Sequence, residues 1–206
     1  MNRLDHYYRK LSAAGSILMV LVVTVLAAEA PWTTCGCGSP EASNLGDLPN
    51  ISLIDQNGKS VVLPSLKGRP LLVDFIYTSC PGPCRTVTQS MQRIAQKLGP
   101  ELGSRVTFVS ISIDPEHEGP PQMLNYAKSL DANRRGWFFL SGGPSEIDAA
   151  LAAFHLKRER TPDGEIEHLE EVILVNADGR VTKVYKGDVL HPDSVVADLR
   201  HAASHG

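Results

Sequence analysis

"LLVDFIYTSCPGPCRT", residues 71 to 86, joins a continuous apolar run to two cysteines that are three residues apart, with prolines at two of those three positions. The run is rich in apolar and β-prone side chains, as expected of a strand covered on both faces. Pro81 and Pro83 suit a helix start, where the first N–H groups have no internal partner to lose. The stretch therefore reads as strand, turn and helix, with Cys80 in the turn and Cys84 in the first helical turn. Both thiols would then lie near the positive end of a helix dipole, which favours thiolate. Three roles stay open for the pair: a structural disulfide, a couple that trades disulfides, or two ligands of a soft ion such as Cu(I).

Outward from this stretch the pattern is regular. Val87, Met91, Ile94, Ala95 and Leu98 fall at helical spacing until Gly99-Pro100, and "RVTFVSISI" (105–113) is a second β-prone run. A strand, a helix and a strand predict a βαβ unit with parallel strands. Upstream, "ISLIDQNGKSVVL" (51–63) holds the hairpin signal Asn57-Gly58. Downstream, helices are expected over 120–131, 143–155 and 191–203, a short strand over 136–141 and a hairpin over 171–186. Trp137, Phe138 and Phe139 are expected to fill the core. The order matches a thioredoxin-like α/β plan, a three-layer sandwich with an N-terminal β-hairpin extension.

The 206-residue chain suits one folded domain, placed here at 47–206. Its 20 lysines and arginines nearly balance 23 aspartates and glutamates, and the absence of a basic block with interleaved aromatics excludes a nucleic-acid footprint. At the N-terminus, Arg3, Arg9 and Lys10 precede the uncharged "LSAAGSILMVLVVTVLAA" (11–28). Residues 1–30 therefore read as one membrane or export helix with its N-terminus in the cytoplasm. Retained, it anchors the domain on the outer side of the cytoplasmic membrane; cleaved near Ala28 and Ala30, it releases a soluble exported protein. Residues 31–46 read as a linker carrying Cys35 and Cys37, too close in sequence to bridge each other readily.

A third ligand for a soft ion would be an imidazole. His6 lies beyond the membrane segment, and His201 and His205 lie in a C-terminal tail. His117 sits in a polar loop, His155 ends an apolar helix and His191 enters one. His168, in "GEIEHLEEVILVN" (164–176), comes just ahead of a strand that the thioredoxin-like plan lays beside the cysteine-bearing strand. Two acids need an account. Asp114 precedes Pro115 and suits a turn at a strand end, with a role orienting the site as the alternative. Asp74, inside an apolar strand, must be hydrogen-bonded or protonated, and could take part in proton transfer during thiol chemistry.

"FIYTSCPGPC", "VSISIDPE", "LNYAKSL", "WFFLSG" and "EHLEEVILVNADGRV" together resemble the Sco/SenC family of copper-binding, thioredoxin-like proteins of cytochrome c oxidase assembly. The resemblance implies Cys80, Cys84 and His168 as one copper site, for Cu(I) or Cu(II). It implies the CuA-bearing oxidase subunit as the partner, with another periplasmic copper chaperone or a thiol reductant as further partners. Arg85 stands where many members have a proline, and its charge is expected to favour thiolate at Cys84. Two functions follow from the resemblance. One is a metallochaperone that delivers copper to CuA; the other is a thiol-disulfide reductase in which Cys80 attacks and Cys84 resolves.

Overall fold

The computed structural model describes residues 47–80 and 82–204; the expected export helix, linker, Cys35 and Cys37 lie outside the described residues. No helix among the described residues is long and apolar enough to cross a membrane.

Each predicted element of the domain is present. The leading hairpin pairs β1 (Ser52–Asp55) with β2 (Ser60–Val62). Gly58 takes a φ of 78° in its turn, and the Asp55 carboxylate accepts the N–H groups of Asn57 and Lys59. The left-handed backbone at that point favours glycine, which is why the Asn-Gly signal was readable. β3 (Leu71–Ile76) and β4 (Thr107–Ser112) are buried at every residue and run parallel, joined by α1 (Pro83–Leu98). Val87, Met91, Ile94, Ala95 and Leu98 form the buried stripe of α1, and Gly99 closes it at a φ of 54°.

Beyond β4 come α2 (Pro120–Ser129), β5 (Trp137–Ser141) and α3 (Pro144–Ala153). Two short strands follow, β6 (Arg158–Arg160) and β7 (Ile166–His168). The chain then forms the hairpin β8 (Glu171–Val175) and β9 (Val181–Lys186), and ends in α4 (Pro192–Ser204). Among the described residues, seven strands form one sheet in the order β2-β1-β5-β4-β3-β8-β9, and β6 and β7 form a second sheet of two. β8 lies antiparallel to β3, beside the cysteine-bearing strand as the sequence led us to expect.

Alternation along β3 sets the layers, because successive side chains point to opposite faces. Asp74 lies within electrostatic reach of Cys84 on α1 and Tyr126 on α2. Its neighbour Phe75 meets Phe154, just past α3, edge-on at 5.7 Å. Helices α1 and α2 are tied on one face by the buried Thr88–Tyr126 hydroxyl pair at 3.0 Å, while α3 belongs to the other. The sandwich has three layers. Trp137 and Phe139 stack at 5.2 Å in its core, with Phe108 edge-on to Trp137, while Phe138 is half-buried.

Candidate metal centre

The chain leaves β3 at Ile76 and turns through Tyr77, whose carbonyl accepts the Cys80 N–H at 3.2 Å. Cys80 sits in this turn and Cys84 is the second residue of α1, the two positions read from the prolines. Both are free thiols and both are buried, near enough that the Cys80 sulfur disfavours charge on Cys84.

The electrostatics depart from the expected thiolate at one of them. Burial pushes the Cys84 thiol well above its ordinary range, and a hydrogen bond from the Tyr77 backbone offsets this only in part. Loss of water disfavours the charged sulfur more than the helix terminus favours it. Arg85 beside it is exposed and does not reverse the direction. The Tyr77 hydroxyl is raised to about 12, first by burial and then by the neighbouring Cys80 sulfur.

His168 approaches from the other side. It closes β7, and its ring meets Tyr77 edge-on with centroids 6.1 Å apart. Cys80, Tyr77, Ile166 and His168 line one open cleft of about 370 Å³, rimmed by Glu165, Glu167 and Glu170. His168 Nδ1 lies 3.3 Å from the Ile166 carbonyl oxygen. A carbonyl can only accept, so Nδ1 carries a proton, and in the neutral ring the lone pair then sits on Nε2. That Nε2 is buried and has no hydrogen-bond partner among the described residues. The donor set, two thiols and an imidazole with its lone pair free, suits a soft ion of low coordination number. Among the described residues no three Cys, His, Asp or Glu side chains stand assembled around one point, so Cys80 and His168 share a cleft while the thiol pair and the imidazole remain two separate halves of a ligand set.

Asp114 and Asp74 resolve differently. Asp114 is buried in the turn after β4, where its carboxylate receives Arg160 at 2.5 Å and His117 Nδ1 at 2.8 Å. Asp74 accepts the Ser110 hydroxyl at 2.6 Å, and Ser110 accepts the Trp137 indole N–H at 2.9 Å. Its second oxygen is buried and has no partner among the described residues. Burial raises its pKa to about 7 in spite of the Ser110 bond. His155 and His191 are exposed and His201 lies on α4, away from the cleft.

Sequence reading missed the hairpin that carries His168 and the residues that hold it. Arg158 and Arg160 alternate along β6 and so point the same way, Arg158 to Glu116, Asp148 and the Ile113 carbonyl, Arg160 to Asp114 and the Gly164 carbonyl. Glu118 was also missed; its carboxylate accepts the Thr78 N–H and the Ser112 hydroxyl. The signal for the hairpin was present in "RTPDGE" (160–165), a Pro-Asp-Gly turn between two short charged runs.

Comparison with known proteins agrees with this architecture. The family model SCO1/SenC matches residues 48–204. An SCO1 protein homolog of Bacillus subtilis is 33% identical over 177 residues, covering 82% of this chain and 91% of its own. The structure of Bradyrhizobium japonicum ScoI with copper bound superimposes with a TM-score of 0.69 at 31% identity, over 76% of this chain and 99% of that one. BsSco, described as having a disulfide switch and as a member of the Sco family of cytochrome c oxidase assembly proteins, gives 0.69 at 32% identity, over 78% and 95%. The leading hairpin, the cysteine turn and the helix that follows thus sit within a match spanning nearly the whole domain, and the chain belongs to the SCO1/SenC family.

Proposed function

We propose that this protein is a copper metallochaperone in which Cys80, Cys84 and His168 hold the ion and pass it to the CuA site of cytochrome c oxidase during assembly. The observation that carries the reading is the Nε2 of His168, buried and without a hydrogen-bond partner among the described residues, on a residue that lines the same cleft as Cys80. A buried polar atom without a partner is costly and wants an explanation; a metal ligand supplies one. Copper bound by two sulfurs and one nitrogen keeps an open side, through which a recipient's ligands can enter one at a time. Residues 1–30 would anchor the domain on the outer face of the cytoplasmic membrane, with 31–46 as the tether.

The free thiols favour a second reading beside the first. Cys80 and Cys84 are both free, and by thiol–disulfide exchange they can close to a disulfide while a substrate disulfide takes up the two electrons and two protons to become two thiols, a step that removes both sulfur ligands. The same pair would then act as a thiol-disulfide reductase or as a redox-dependent copper switch.

The experiment is a copper titration of the reduced protein with Cys35 and Cys37 replaced by serine, beside His168→Ala and Cys84→Ser. One equivalent bound, and weakened by each variant, supports the chaperone. Absence of copper binding, with disulfide-reducing activity intact, would leave the reductase.

A further inference from the structure

Two halves of the candidate centre stand on different pieces of chain, the thiols on the β3–α1 turn and the first turn of α1, and His168 on the separate β6–β7 sheet. Something must set the distance between them. From the hydrogen bonds on either side we infer that the turn Asp114–Glu118 does so, with Glu118 and Arg160 as positioning residues: Glu118 grips the thiol turn, and Arg160 fastens the histidine hairpin to the same turn. The inference rests on the copper reading given above and adds to it the residues that bring its two halves into register.

The turn itself is closed. The N–H groups of His117 and Glu118 both return to the Asp114 carbonyl, at 3.2 and 2.9 Å. Ser112 braces it by donating its hydroxyl to Glu118 at 2.5 Å and accepting the Asp114 N–H at 3.1 Å. Glu118 is buried, and its other oxygen takes the backbone N–H of Thr78, two residues ahead of Cys80. On the far side the Arg160 guanidinium reaches Asp114 at 2.5 Å and the Gly164 carbonyl at 3.1 Å, so one side chain ties the hairpin's strand and its tip to the turn. Arg160 pairs in register with Ile166, whose carbonyl orients the His168 ring. A charge-assisted bond at each end of one rigid turn is the arrangement expected of groups that hold ligands in place.

The two residues act on different halves, so they separate in a double-variant cycle in the full chain, titrated with copper under reducing conditions. Arg160→Met should lower copper affinity on the order of tenfold. In a His168→Ala background it should lower it no further, because Arg160 works through the histidine. Glu118→Ala should lower affinity in both backgrounds, because it works through the thiol turn, and Glu118→Gln, which can still accept the Thr78 N–H, should restore most of the loss. In the metal-free chain, amide exchange at Thr78 should speed by about tenfold or more in Glu118→Ala and stay near normal in Glu118→Gln. If Arg160→Met fails to fold, Arg160→Lys, which keeps the charge but not the two-pronged contact, takes its place in the cycle with a smaller loss of the same sign.

A wild-type chain that takes no copper removes the copper reading and this inference with it. Copper binding that Arg160→Met leaves unchanged, or lowers equally with and without His168, overturns the inference and leaves the copper reading standing. Unchanged Thr78 exchange in Glu118→Ala overturns the part assigned to Glu118.

Discussion

Arg158 and His168 are register partners across the β6–β7 ladder, so one of the two arginines that fasten the hairpin to the body of the domain lies opposite the candidate ligand. The Arg158 side chain is only 16% exposed and meets Glu116, Asp148 and the Ile113 carbonyl. Arg158→Leu should loosen the hairpin more than the fold. Global stability should fall by about 1–2 kcal/mol, since its carboxylate partners are largely solvated. Limited proteolysis within Thr161–Gly164 should accelerate well beyond what that loss explains. Cleavage at the wild-type rate would mean that Arg158 does not hold this segment.

Burial keeps Cys84 protonated near neutral pH. In a Cys80→Ser variant, iodoacetamide at pH 8 should alkylate Cys84 at least about tenfold more slowly than a cysteine in an unstructured peptide, since each pKa unit removes tenfold of the thiolate. The rate should keep rising with pH beyond the point where the peptide's has levelled. Mass spectrometry of the time course checks this, and faster reaction than the peptide would show that the helix terminus prevails over desolvation.

The Asp74 carboxyl, at 3.8 when solvated, is raised by burial to about 7 in the folded domain. The folded state therefore holds a proton that the unfolded chain releases between those values. The resulting stability is complete below about pH 4, declines as pH rises, and is gone above about pH 7. The displacement corresponds to about 4 kcal/mol at most. Asp74→Asn, which stays neutral, should flatten the pH profile of urea unfolding over this window. An unchanged slope would place the titration elsewhere.

Glycines at positive φ differ in what surrounds them. A Cβ on Gly136 (φ 83°) would lie 2.3 Å from backbone atoms of Gly103, whereas one on Gly164 (φ 91°) would meet nothing within 4 Å. Gly164→Ala should cost about 1 kcal/mol of backbone strain. Gly136→Ala should cost at least about twice as much, because backbone must move as well. Equal melting temperatures for the two variants would contradict this ordering.

Most of the fold was legible because its elements are long or strongly punctuated. The run 71–76 is apolar at all but Asp74, α1 repeats its apolar stripe over about three turns, and Asn57-Gly58 and Gly99-Pro100 mark their own turns. The β6–β7 hairpin was not legible by the same rules. Its strands have three residues each, too few to show a period, and Arg158, Glu159 and Arg160 look like solvated surface until their partners on the Asp114–Glu118 turn are seen. Residues 80, 84 and 168 could be picked out as candidate donors by type and order, but the hydrogen bond at His168 Nδ1 depends on the Ile166 carbonyl, and the protonation of Cys84 on how deeply its sulfur is buried. Neither is written in residue spacing.

The main sheet ends on one side in β2, only three residues long, and on the other in β9, which presents Lys183 and Lys186 to solvent. Short or lysine-bearing borders are poor templates for strand addition from another molecule. Many copies held close together would thus resist fusing through the borders of this sheet.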